Sequence, residues 1–477
     1  MSRLPRPNRP IALAGLILLA IAPPSTARQE PTASGLPVAE YASRREALQD
    51  LLGGGVVVVR GAEPMAEDYF RFRQRNDFMY LTGIEQPDAL LLLVPEGLDP
   101  EGQARSVVFL PPRNPFAERW SGPQVVPGEE TARAFGLDEA LPTADFEARL
   151  AEALGRDAAE EGGESDADAG TGDADADAEA EADGPATIYT HLPPRRDGEG
   201  SPEARFRDQL EQLSPDARFE EVSPSIASLR LIKSDAEVVL LRRAIDITIE
   251  AHRDAARVIE PGTHEYEAQG ALEYAFTRNG AQREAFASIV GSGPNSVVLH
   301  YNANRRRMED GDLVVIDIGA EFDYYAADLT RTYPVSGRFT DRQREVYQLV
   351  LDAQRAAESA FEPGKTTIND LHQAAIARMK ESPLRDSQGR TLERYFVHGL
   401  GHWLGMDVHD VGDYRRPIPE GAVFTIEPGI YIPEESLGVR IEDDYLAAAD
   451  GLVKLSEALP SEPDEVEAMM AVEVSAE

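Results

Sequence analysis

Cysteine is absent from this 477-residue chain, which excludes disulfides and thiolate metal sites. Basic residues are scarce beside acidic ones: 47 Lys and Arg stand against 85 Asp and Glu, a net charge of −38. Such a surface repels nucleic acid and anionic membrane. The apolar run Ile11 to Ala22 is too short for a comfortable bilayer span. What is present is an ordinary globular share of apolar residues, in a chain long enough for two or more domains.

Arg3, Arg6 and Arg9 precede that apolar run, and the small residues Ser25-Thr-Ala27 follow it. This order is that of an export signal cleaved near Ala27, giving a periplasmic or secreted protein with no stable membrane span. The alternative is an uncleaved anchor. Residues 28 to about 36 read as a disordered mature N-terminus. Asp157 to Pro185 holds twelve acids with no basic or aromatic residue, cannot bury an apolar face, and reads as a disordered surface insertion. Its Asp-Ala alternation lacks the twelve-residue spacing of a calcium loop.

Between these segments strands and helices alternate, which predicts an α/β fold. A helix runs from Val38 to Gly53-Gly-Gly, Val56 to Val59 is a buried strand, and Ala89 to Val94 and Ser106 to Leu110 are further strands. Strand structure resumes at Ile188. We divide the chain at residues 28–220 and 221–477. The second part opens with a capping box, Ser234-Asp-Ala-Glu237, ahead of apolar residues at helical spacing. His252 reads as one more residue of that helix face. The helix stops at Glu260-Pro-Gly, and another helix runs from about His264 to Arg278. Thr340-Asp-Arg-Gln343 opens a helix that stops at Glu362-Pro-Gly, with a further helix after Thr366. The unit thus recurs 102 positions on, which predicts two similar α/β halves.

Chemistry concentrates between Val314 and Glu442. Asp317 ends the apolar run Leu313-Val-Val-Ile, and Asp328 follows across an expected turn near Phe322-Asp323. Their odd separation places both carboxylates on one side of a hairpin. Solvated hairpin acids are the alternative. His398-Gly-Leu-Gly-His402-Trp-Leu-Gly, Ile426-Glu427-Pro-Gly and Arg440-Ile-Glu442 complete the set. Acids in apolar surroundings are costly unless a cation neutralises them. Four of the eight histidines, His300, His398, His402 and His409, fall within this region or just before it. His300 is expected at the end of an apolar strand, Ser296 to Leu299.

In order and wording these segments resemble the dimetal centre of the pita-bread metallopeptidases, the group of aminopeptidase P, prolidase and methionine aminopeptidase. The resemblance implies a duplicated α/β pita-bread catalytic domain. It implies Asp317, Asp328, His402, Glu427 and Glu442 as ligands of two divalent ions, Mn first, with Co or Zn as alternatives. Glu427 would also take a proton from water. His398 and His409 would stabilise the oxyanion and hold substrate, and His300 would position it. Arg440, on the Glu442 face of its strand, would neutralise a ligand carboxylate or anchor substrate; the alternative, which we prefer, is a salt bridge behind the ligands. Phe72-Arg-Gln-Arg-Asn-Asp-Phe-Met-Tyr-Leu-Thr-Gly83 resembles the N-terminal, creatinase-like α/β domain of aminopeptidase P. Ala117-Glu-Arg-Trp120 resembles a segment whose tryptophan covers the active site in some members, even from a neighbouring subunit; the alternative is packing within its own domain.

The expected activity is Xaa-Pro aminopeptidase, acting on peptides with proline second, in a homo-oligomer (dimer or tetramer). A prolidase limited to dipeptides is the runner-up. A non-enzymatic pita-bread binding module and creatinase are disfavoured because all five ligand types are retained. The acidic insertion, foreign to the family, suggests as a further alternative a chaperone for basic proteins.

Overall fold

The computed structural model describes residues 35–65, 71–99, 102–155, 186–193 and 200–471. The expected export signal, most of the expected disordered N-terminus and the acidic insertion lie outside the described residues. Leu36 is an exception, and it departs from expectation. It is buried in an apolar cluster with Tyr41 and Leu48, so chain order begins earlier than composition suggests.

Helix α1 (Val38–Leu52) ends where Gly53 takes a left-handed conformation, φ 66°. A six-stranded mixed sheet follows. Its strands are β1 (Val56–Arg60), β2 (Leu90–Val94), β3 (Arg105–Leu110), β4 (Glu139–Pro142), β5 (Thr187–Thr190) and β6 (Arg218–Glu221), in the order 4-3-2-1-5-6. The valine and leucine runs of β1 and β2 are buried on both faces, as continuous apolar strands require. Around it pack α2 (Asn76–Thr82), α3 (Glu118–Ser121), α4 (Glu129–Phe135), α5 (Phe146–Ala153) and α6 (Pro202–Leu213), and α7 (Ser223–Leu231) leads away. Trp120, on α3, is 71 % exposed among the described residues, where its aromatic neighbour is the similarly exposed Phe116.

The remaining chain is built twice over. Helices α8 (Asp235–Val258) and α9 (Glu265–Arg278) precede strands β7 (Arg283–Glu284), β8 (Ile289–Ser292), β9 (Leu313–Ile318), β10 (Ala320–Phe322), β11 (Tyr325–Ala326) and β12 (Leu329–Pro334). Helices α10 (Asp341–Ala360) and α11 (Ile368–Glu381) precede β13 (Val423–Ile426), β14 (Gly429–Ile432), β15 (Leu437–Arg440), β16 (Asp443–Ala448) and β17 (Gly451–Lys454), and α12 (Pro463–Met470) closes the chain. Capping boxes start α8, α10 and α11, where Ser234, Thr340 and Thr367 each bond the backbone N–H three residues on.

Each half contributes a long hairpin. In the first, Phe322 pairs with Tyr325, and Asp323 and Tyr324 form a two-residue turn with φ 47° and 73°. Positive φ at both positions is the signature of a type I′ turn. A tyrosine there is strained, and tertiary contacts hold it: its hydroxyl donates to Glu85 (2.6 Å), and Arg73 lies over its ring. Past Asp328 the same register carries β9 against β12. In the second hairpin one register joins β13 to β16 and β14 to β15. Asp317 and Asp328 lie on the first hairpin, and Glu427 and Glu442 lie where the second is interrupted.

One expected strand is absent. Ser296 to Leu299 is no strand: residues 293–297 form a 3₁₀ turn, followed by a further turn that carries His300. Pro294 within the first turn and Gly293 with φ 52° favour the tight turn over extension.

Candidate metal centre

The register of β9 and β12 sets the centre. Thr330 faces Asp317 across that ladder and Glu442 on its other side, so the three residues form one row. Asp317 and Asp328 are diagonal neighbours, offset by two positions from direct pairing, with side chains on one face. Thr330 Oγ1 donates to Glu442 Oε2 at 2.7 Å and accepts from Arg440 Nε at 3.2 Å. Arg440 Nη2 meets Asp317 Oδ2 at 2.6 Å, so its partner is itself one of the expected ligand carboxylates. Asp444 accepts the Asp328 backbone N–H at 3.2 Å.

His402 is delivered from the opposite half. Gly401 presses against Thr425, where a Cβ would lie 2.0 Å from the Thr425 carbonyl oxygen, so only glycine fits. The Thr425 hydroxyl in turn accepts the His402 N–H at 3.1 Å. His402 Nδ1 lies 3.1 Å from the Trp403 carbonyl, an acceptor, so Nδ1 carries the proton. Nε2, the other ring nitrogen, faces Asp328 (3.3 Å), Glu427 (3.6 Å) and Glu442 (4.0 Å).

Nε2 among three carboxylates calls for a positive charge between them, carried by a proton on the ring or by a bound cation. Three further observations agree. Donor atoms of Asp328, His402 and Glu442 all lie within 4.8 Å of one another. Asp317 Oδ1 and Asp328 Oδ1 are buried with no hydrogen-bond partner. Asp328 and Glu442 are held well above the usual carboxylate range, by burial and then by their acidic neighbours. Glu427, likewise buried among charges, is pushed up to about 7. An oxygen-and-nitrogen donor set crowded with acids fits a divalent metal.

The other predicted histidines converge on the same place from different elements. His409 stacks on His402 with ring centroids 4.0 Å apart, and it is exposed on its other side. Its basicity is lowered by loss of solvent, then by His402 and His300, so His300 lies nearby. His398 lies 3.7 Å from Glu427, and its pKa falls to about 4 through burial and the nearby Arg440. It is therefore neutral, with Nδ1–H donating to the Gly399 carbonyl (2.8 Å) and Nε2 accepting from the Tyr431 hydroxyl (2.9 Å). Both ring nitrogens are engaged, so donation to a substrate requires giving up the Gly399 bond.

Sequence reasoning missed Thr330, Tyr431 and Thr425. Thr330 is two residues beyond Asp328, so strand parity points it to the ligand face, a signal that was available. Tyr431, which also accepts from Arg440 Nη1 at 2.8 Å, carries no such local sign.

Comparison with known proteins accords with this geometry. Residues 239–449 match the family model described as Metallopeptidase family M24, and residues 41–160 match Aminopeptidase P, N-terminal domain. The chain is 33 % identical over 459 residues to Xaa-Pro aminopeptidase of Escherichia coli (strain K12), covering 90 % of this chain and 97 % of that one. Among solved structures, proline aminopeptidase P II from Yersinia pestis is 32 % identical with a TM-score of 0.76, covering 92 % of this chain and all of that one. Aminopeptidase P from E. coli with the inhibitor Pro-Leu is also 32 % identical at a TM-score of 0.76, covering 91 % and 98 %.

Proposed function

The chain belongs to metallopeptidase family M24, among its aminopeptidase P members, and on that premise we propose that it hydrolyses the bond between an N-terminal residue and a following proline. One observation carries the reading. A complete set of ligand types, with the His402 imidazole Nε2 turned into it, stands in a chain that aligns nearly end to end with a named Xaa-Pro aminopeptidase.

Asp317, Asp328, His402, Glu427 and Glu442 would hold the metal, which when bound supplies Lewis-acid charge and makes a nearby water more acidic. Glu427 would also accept a proton from water at its carboxylate. Arg440 fixes the Asp317 carboxylate, the acid we assign to the free α-amino group of the substrate. His409, stacked on His402, and the nearby His300 hold the peptide. The neutral His398, beside Glu427, is anchored by Tyr431.

Our finer reading is two ions, Mn before Co or Zn, because four carboxylates with two oxygens each, plus an imidazole, offer more donor atoms than one six-coordinate ion takes. The exposed Phe116–Trp120 pair supports a homo-oligomer in which a second copy covers it. The basic, apolar, small-residue order of residues 3–27 supports export.

The test uses metal-stripped protein with added Mn, Co or Zn, an Arg-Pro-Pro peptide and a Gly-Pro dipeptide. Metal-dependent release of arginine from the longer peptide is expected. Cleavage of the dipeptide alone would make the enzyme a prolidase, and no cleavage with any ion would overturn the reading.

A further inference from the structure

The segment Phe72 to Gly83 matches a family string, yet none of its residues belongs to the ligand set. Its contacts lead to the loop that carries His409. That loop leaves the sheet after Trp403 and returns at Asp410, whose N–H donates to the Trp403 carbonyl at 2.8 Å. At its tip the Met406 carbonyl accepts from Arg73 Nη2 (3.3 Å) and Asn76 Nδ2 (3.2 Å), both from the string.

At its far end Asp410 is seized from below. One carboxylate oxygen meets Arg230 at 2.5 Å, and the other meets Lys233 at 3.1 Å. All three side chains are almost wholly buried. Arg230 also reaches Asp407 of the same loop (2.8 Å) and Asp77 of the string (2.7 Å), and Asp77 holds His191 at 2.8 Å. Gly405 leaves the space, since a Cβ there would lie 2.1 Å from Asp410 and 3.0 Å from Lys233. Buried ion pairs contribute little net stability, because desolvation offsets attraction, but they fix geometry. Here the geometry fixed is that of the residue immediately after His409.

We propose that Asp410, clamped by Arg230 and Lys233 and braced through Met406 by Arg73 and Asn76, is a positioning residue that sets the His409 ring against the substrate. The N-terminal sheet region thereby acts on the reaction without touching it. The inference rests on the proposed role of His409.

The test is a double-mutant cycle on the metal-loaded enzyme. Asp410→Asn and Asn76→Ala are each made in the wild-type and His409→Ala backgrounds, and kcat/KM is read on Arg-Pro-Pro. Metal affinity is measured alongside by titration. In the wild type, Asp410→Asn is expected to lower kcat/KM by ~10–100-fold and Asn76→Ala by ~3–10-fold, the range for residues that orient others. In the His409→Ala background each should cost less than ~2-fold more, because coupled losses do not multiply. Metal affinity should be unchanged. Losses that multiply, or metal affinity that falls in step, would overturn the clamp and make Asp410 a general scaffold residue. Should Asp410→Asn fail to fold, Asn76→Ala decides alone. If His409→Ala itself leaves kcat/KM unaltered, the role of His409 fails, and the clamp falls with it.

Discussion

Replacing Thr330 by Val tests how the ligand carboxylates are held. Valine keeps the β-branched shape that suits a buried strand but removes the hydroxyl. Two bonds disappear together: the 2.7 Å donation to Glu442 and the 3.2 Å acceptance from Arg440. The first involves a carboxylate, and such bonds contribute ~1.5–3 kcal/mol. At ~1.4 kcal/mol per tenfold, metal affinity should fall by ~10–100-fold, the loss common when a partner of a metal ligand is removed. The assay is calorimetric titration of metal into stripped protein, with far-UV circular dichroism to show that the fold persists. Unchanged affinity would refute the claim that Thr330 orients Glu442. A protein that binds no metal and has lost its circular dichroism would instead mark Thr330 as a folding residue.

Three further outcomes are expected. His252 is buried between the Tyr333 hydroxyl (3.0 Å) and the Leu329 carbonyl (3.1 Å), and burial, reinforced by Arg331, lowers its pKa to about 3. Protons then bind the unfolded ring first, so its stabilisation is full above about pH 6.5 and is lost toward pH 3, at ~1.4 kcal/mol per pH unit. Denaturant midpoints of metal-free protein should fall less between pH 7 and pH 5 in His252→Gln than in the wild type, and equal falls would refute this. Gly401→Ala should abolish metal binding and lower Tm, because its Cβ would strike the Thr425 carbonyl; retained metal binding would contradict the close approach. Trp120→Ala should retain its far-UV circular dichroism, since the side chain is largely exposed within its own chain, while sedimentation velocity shifts to a smaller species. An unchanged sedimentation coefficient would remove the oligomer reading.

Much of this protein was legible because its signals are local. Capping boxes at Ser234 and Thr340 mark helix starts within four residues, and the structure has α8 and α10 there. The eleven-residue separation of Asp317 and Asp328 put both acids on one face, because a two-residue turn preserves strand parity. The misreading at Ser296 to Leu299 has a local cause too: an apolar run looks like a strand, but Gly293 and Pro294 had already turned the chain. Leu36 was misjudged because burial depends on what lies above a residue, not on its flanking polarity.

By itself the sequence determined which donor atoms are available, in what order, and the two helix-and-hairpin units that carry them. Only the tertiary structure decided how they meet. Thr330 and Glu442 are 112 positions apart, and Arg440 and Asp317 are 123 apart. No periodicity reaches across such distances; packing of the two halves brings these groups within bonding range. The tautomer of His402 was likewise set by a carbonyl in a folded loop, and the burial of Asp410 by two cations nearly 180 positions earlier. Local sequence chooses the chemistry of each side chain, whereas charge, proton position and orientation depend on neighbours that only folding supplies.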